Sequence, residues 1–133
     1  MSGISPKLPL NQTPIYGLAL NETWKQVMRQ NLKMLILTSP GERMMDPKFG
    51  VGLRQFLFKS NSSRTRGDIS SKIQEQVRKY MPEVEIVSID FSSQNGEEFL
   101  GSFEGSNGSN HVNLMISYEI PSAFVADSFS IKV

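Results

Sequence analysis

Two carboxylates four residues apart, Glu42 and Asp46, are the residues of this chain whose type and spacing best suit catalysis. Glycoside hydrolysis uses a pair of carboxyl groups about 5–10 Å apart, one protonated to donate to the leaving oxygen and one ionised. Such a hydrolase also needs a cleft lined for sugars, and the aromatic residues here fall mainly on stripes that read as core. Surface charge and helix capping account for both carboxylates more simply. Other catalytic designs are limited by inventory: His111 is the one histidine and cysteine is absent, which leaves no Cys-His pair and a single possible base for a Ser-His-Asp arrangement. His111 stands beside a Gly/Ser/Asn run and reads as a solvated strand-end residue. The glycine-rich stretch Gly101 to Gly108 lacks the Gly-Lys-Ser/Thr ending of a phosphate-binding loop.

Charge excludes further classes. With 14 basic against 13 acidic residues, nothing creates a dominant attraction to nucleic acid or an anionic membrane. Lys59, Arg64, Arg66, Arg78 and Lys79 could gather around one helix, but without interleaved aromatics they read as a solvated face. Absent cysteine removes disulfides and thiolate metal sites. The longest strongly apolar run, Met34 to Leu37, is far short of a membrane span, and the N-terminus has no continuous apolar signal region. No catalytic, cofactor or metal residue is therefore expected, and no nucleic-acid or membrane partner. Binding must come from shaped surfaces.

The elements that would carry those surfaces follow from periodicity. At 133 residues the chain suits one domain, which can bury roughly two thirds of its unfolded surface. Residues 1–13, with Pro6 and Pro9, read as an extended arm or frayed terminus. Pro14 to Leu20 is a short strand or more arm. Asn21 can cap a helix whose Trp24, Val27, Met28, Leu32 and Leu35 share one face, which assigns Trp24 to the core. A second helix is expected from Thr65, with Asp68 in a capping box, Ile69, Ile73, Val77, Tyr80 and Met81 as its stripe, and Pro82 as its stop.

Beyond Pro82 the period changes. Val84 to Phe91 is rich in β-branched residues, and Val112, Leu114, Ile116, Tyr118 and Ile120 alternate with mostly polar neighbours up to Pro121. Between them lie a hairpin signal at Asn95-Gly96, a possible short strand from Glu98 to Phe103, and a loop from Gly105 to Asn110. Phe129, Ile131 and Val133 alternate with Ser130 and Lys132 in a last strand suited to a sheet edge. The fold class is α+β, with N-terminal helices packed on a small antiparallel sheet formed mainly by the C-terminal half. Residues 14–91 then hold the helical core and first main strand, and residues 92–133 the hairpin, long strand and last strand.

The segment Leu35 to Phe58 joins these halves in a fixed order. The helix stops at Thr38, Pro40-Gly41 suits a turn, and Asp46-Pro47 resembles a further helix start. Phe49 is followed by Gly50 and Gly52, which permit close backbone approach, and Leu53, Phe56 and Leu57 follow at helical spacing. Phe49 reads first as a core plug and second as an interface knob.

This order resembles the small baseplate wedge proteins of contractile phage tails, a family that includes a baseplate subunit of the type VI secretion apparatus. The match is a helix ending in Leu35, Leu37 and Thr38, then Gly41-Glu42-Arg43, Pro47, Phe49-Gly50 and Gly52-Leu53, spanning about Asn21 to Phe91 and returning over Val112 to Ile120. The resemblance implies a structural, non-enzymatic protein of the virion tail baseplate, assembled in the host cytoplasm. Other wedge proteins and the tail sheath protein are its implied partners, with the tail tube as an additional candidate. It further implies that the wedge protein initiates sheath assembly through a sheet that shares strands. Phe129, Ile131 and Val133 are the residues placed for strand addition, and removing residues 128–133 is expected to leave the monomer folded. Gly41, Glu42, Arg43, Pro47, Phe49, Gly50, Gly52, Leu53 and Pro82 are the motif positions, structural or in contact with the wedge. One departure stands out: many members of that family carry Glu-Pro-Arg where this chain has Met81-Pro82-Glu83, so only the proline is retained. The alternatives are a lysozyme-like hydrolase built on Glu42 and Asp46, and a small soluble adaptor using the same fold.

Overall fold

A computed structural model of the protein describes residues 3–14, 17–56, 63–92 and 113–132. Apolar residues three and four apart set the two long helices. Helix α1, Trp24–Leu37, buries Val27, Leu32, Leu35 and Ile36. The short α2, Leu53–Phe56, buries Leu53. Helix α3, Ser63–Tyr80, buries Ile69, Ile73, Gln76 and Val77, and Arg78 and Lys79 in its last turn suit the negative end of its dipole. It begins two residues before Thr65, and Pro82, which cannot continue the helical ladder, follows its end.

The arm is extended but anchored. Residues Ser5–Pro6 (β1) pair antiparallel with Leu20–Asn21 (β4), and Gln12–Thr13 (β2) with Gly17–Leu18 (β3). Asn21 does not cap α1: the N-cap is Thr23, with no side-chain capping bond. Asn21 is instead buried, and its Nδ2 donates to Ser5 Oγ at 3.1 Å and to Gln30 Oε1 at 3.0 Å. Gln30 also accepts from the Leu8 N–H and donates to the Pro6 carbonyl, so one amide on α1 ties down both sides of the arm.

The main sheet has the order β5-β6-β7, formed by Glu85–Ser92, Asn113–Ile120 and Val125–Lys132, all antiparallel. Central β6 buries Leu114, Ile116, Tyr118 and Ile120 at a period of two. Strand β5 has a register shift between Ile86 and Ser88. The extra residue, Val87, faces outward, and the shift lets Ile86, Ile89 and Phe91 all pack against the core. Pro121 ends β6 and opens a 3-10 turn that closes at Phe124 in the left-handed region, φ 50°. Helix α3 packs over β5 and α1 over β7, and the core lies between them and the sheet.

Two further expectations fail here. Trp24 is 63% exposed: periodicity puts it on the apolar face of α1, but that face is buried only from Val27 onward. Its neighbour Lys25 reaches β7, ion-paired with Asp127 at 3.2 Å. Secondly, β7 is not an expendable tail. Phe129 and Ile131 are buried in the shared core, Phe129 edge-on to Tyr118 with ring centroids 5.9 Å apart. Val133, Leu57, Lys59, His111 and the stretch containing Asn95-Gly96, Glu98 to Phe103 and Gly101 to Gly108 lie outside the described residues.

Candidate functional site

The connection from α1 to α2 is stapled at its neck. The Thr38 hydroxyl donates back to the Met34 carbonyl at 2.6 Å, ending α1, and the Gly52 N–H donates to the Thr38 carbonyl at 2.9 Å. Val51 N–H bonds the Leu35 carbonyl at 3.1 Å, laying the end of the loop along the helix end. That approach requires glycine at position 50. With φ +106°, a side chain there would place its Cβ 2.2 Å from the Thr38 carbonyl oxygen. Gly52, φ +69°, lies close against Pro40. Gly41, φ +93°, has open space around it, and its N–H closes the loop onto the Pro47 carbonyl at 2.9 Å.

Asp46-Pro47 starts no helix. The Asp46 side chain bonds locally instead: Oδ1 accepts from the Lys48 N–H at 3.3 Å and Oδ2 from the Tyr80 hydroxyl at 2.6 Å. That hydroxyl holds the Asp46 carboxyl below its ordinary range. The Lys48 N–H and the charges of Lys79 and Arg43 act in the same direction, against a partial desolvation. Glu42 folds onto its own turn, its Oε2 accepting from the Ser39 N–H at 3.0 Å.

Around Phe49 the side chains stack. The Arg43 guanidinium carbon lies 3.8 Å from the Phe49 ring centroid, and Phe49 meets Tyr80 edge-on at 4.9 Å. Lys79 Nζ lies 4.8 Å from the Tyr80 ring centroid. Phe49 is buried, so it plugs the joint between the loop and α3. Beneath it, buried Gln76 holds the backbone of the motif, accepting from the Gly50 N–H and donating to the Lys48 carbonyl. Gln76 escaped the reading of the sequence, although position 76 falls three residues after Ile73 on the buried stripe of α3.

The structure thus brings Gly41, Glu42, Arg43, Pro47, Phe49, Gly50, Gly52 and Leu53 into one joint between α1, α2 and α3. Pro82 lies apart, exposed, beside a groove of about 420 Å³ lined also by Gln74, Val77, Arg78, Val84, Glu85 and Ile86. A general acid needs a carboxyl that stays protonated, and Asp46 is held ionised. Glu42 lies exposed on the same loop. No group of His, Cys, Asp and Glu suited to a metal ion occurs among the described residues, and no described helix is long and apolar enough to cross a membrane.

Comparison with known proteins places this joint in a family. The sequence profile described as baseplate wedge protein gp25 matches residues 22–123, from α1 through β6 and its turn, leaving out the arm and β7. No curated protein sequence matches the chain. Among solved structures, the crystal structure of a candidate tail lysozyme from Geobacter sulfurreducens superposes with a TM-score of 0.66 at 19% identity, over 86% of this chain and 94% of that one. A chain of the anti-feeding prophage baseplate superposes with a TM-score of 0.64 at 20% identity, over 85% of this chain and 81% of that one. At such identities these likenesses establish the fold. The profile spans most of the sequence and includes the whole stapled joint, and the chain belongs to the baseplate wedge protein gp25 family.

Proposed function

We propose that this chain is a non-enzymatic structural component of a contractile-tail baseplate, joining wedge subunits to the tail sheath and starting sheath assembly. The family match over residues 22–123 carries the reading. The fold shared with a chain of the anti-feeding prophage baseplate agrees with it. Its partners are other wedge proteins and the sheath protein, with the tail tube as an additional neighbour, and its location is the tail baseplate of a virion assembled in the host cytoplasm. Within the family motif, Phe49, Gly50, Gly52 and Leu53 build the joint and Glu42 and Arg43 shape the loop that faces outward. Pro82 borders the groove between α3 and β5.

Sheath initiation is assigned to β7. Among the described residues β7 pairs on one side only, with β6, so its other edge offers main-chain donors and acceptors to an added strand. Phe129 and Ile131 fix its register from the core side, and Val133 continues the alternation in sequence.

A lysozyme-like hydrolase is the second reading, favoured by the fold shared with a candidate tail lysozyme. Its carboxylates would be Glu42 and Asp46, and both are engaged in holding the loop.

Co-expression with the wedge and sheath proteins encoded beside it tests the first reading. The comparison is the wild-type chain against Ser128→Lys/Ser130→Lys, which puts charge along β7 at two exposed positions. Wild-type capture of both wedge and sheath, with sheath capture alone lost in the variant, is the expected result. Unchanged sheath capture overturns strand sharing, and capture of neither protein by the wild type overturns the baseplate reading.

A further inference from the structure

We infer that Met44 and Met45, at the tip of the stapled loop, form a docking knob for an apolar pocket with an acidic rim on a second protein, an inference that rests on the structural reading above. Met44 is 95% exposed and Met45 99%, the highest values among the described large apolar residues apart from Phe124. Apolar side chains so fully solvated at adjacent positions gain nothing for this fold.

The flanking residues are rigidly held, in contrast. Gly41 is bonded to Pro47 across the loop, Glu42 to Ser39, and Asp46 to Tyr80, while Arg43 lies flat on Phe49. The fold ties Gly41, Glu42, Arg43 and Asp46 on either side of the tip to the scaffold and leaves the two methionines almost fully solvated. Binding then loses little backbone entropy, because the loop is already ordered. Methionine suits the role: its unbranched, polarisable chain adapts to irregular apolar pockets.

Charge points to the rim chemistry. Both carboxylates of the loop turn back onto the scaffold, Glu42 to a backbone N–H and Asp46 to the Tyr80 hydroxyl. Arg43 and Lys48 flank the tip in the chain and Lys79 lies over Tyr80 at the base of the loop; the charges of Arg43 and Lys79 act on Asp46, and none of the three is in a salt bridge among the described residues. A knob of two apolar side chains with this basic collar fits a pocket edged by Asp and Glu. A membrane surface fits less well, since two side chains make a small footprint and the whole chain carries a net charge of only +1.

The test measures affinity of the purified chain for the wedge protein identified by co-purification, comparing wild type with Met44→Ser/Met45→Ser and Lys48→Glu. The double variant is expected to bind at least about tenfold more weakly at an unchanged melting temperature, because neither side chain packs on the fold. Lys48→Glu is expected to weaken binding, more so at low salt. Full affinity in Met44→Ser/Met45→Ser overturns the knob while the baseplate reading stands. Wild-type protein that binds no wedge protein overturns both. Vesicles of phosphatidylethanolamine and phosphatidylglycerol are the control surface: methionine-dependent binding to them, with wedge binding unaffected, makes the tip a membrane contact and overturns the inference.

Discussion

The Gly50 N–H donates to Gln76 Oε1 at 3.0 Å in the protein interior, and the same side chain donates from Nε2 to the Lys48 carbonyl at 3.3 Å. One amide on α3 therefore satisfies a buried donor and a part-buried acceptor of the α1–α2 loop. Gln76→Leu fills similar volume but leaves both backbone groups unpaired, and is expected to destabilise the fold by about 1–3 kcal/mol in urea denaturation. An unchanged midpoint would show that the loop rests on its own turns alone.

Two glycines of the motif should differ in sensitivity. Gly50→Ala forces a Cβ against the Thr38 carbonyl at φ +106° and is expected to cost about 3 kcal/mol or more. Gly41→Ala meets only the conformational penalty of φ +93° in open space, about 1–2 kcal/mol. Thermal melts of the two variants check the order, and equal losses would contradict it.

The Tyr80–Asp46 bond makes the joint pH-sensitive. Folding lowers the Asp46 pKa, mainly through the Tyr80 hydroxyl, so the native state favours the ionised form. The resulting stability is present above the unfolded carboxyl value of about 3.9 and is lost as pH falls through the lower folded value. Tyr80→Phe keeps a ring beside Phe49 and removes the hydroxyl. Its stability deficit, measured by denaturation, should be larger at neutral pH than in acid below that window. A deficit independent of pH would mean that the bond does not discriminate between the two forms of Asp46.

Strand β7 belongs to the core. Phe129→Ala is expected to cost about 3–5 kcal/mol, and removal of residues 128–133 to abolish a cooperative melt. A truncated protein that melts sharply near the wild-type temperature would restore the view of this strand as a detachable arm.

Lytic activity is expected to be absent. Purified protein should produce no clearing in peptidoglycan zymograms, because Asp46, held ionised, does not serve as the acid and both carboxylates are engaged in holding the loop. Clearing abolished by Glu42→Gln would overturn this.

Periodicity was sufficient for the parts of the fold that repeat. Leu32 and Leu35 on α1, Ile69, Ile73 and Val77 on α3, and Leu114 to Ile120 on β6 are buried as their spacing requires. The run from Thr38 to Leu53, with its Pro and Gly positions and its family likeness, was legible for the same local reason: a positive φ or a close backbone approach admits few residue types. The partners of those residues were not legible. A periodic face is buried only where another element lies over it, and Trp24 is left 63% exposed. Asn21, a good capping residue by type, is drawn to Ser5 and Gln30 because the arm folds back over α1. Asp46 and Tyr80 are 34 positions apart in the chain, and Gly50 and Gln76 are 26 apart. Local sequence determined the two long helices and the strands of the main sheet, though not the Asp46-Pro47 turn, which reads locally as a helix start. Only the packing of α3 against the loop decided between plug and knob for Phe49 and left two methionines at the loop's edge in solvent, because those outcomes depend on distances between segments.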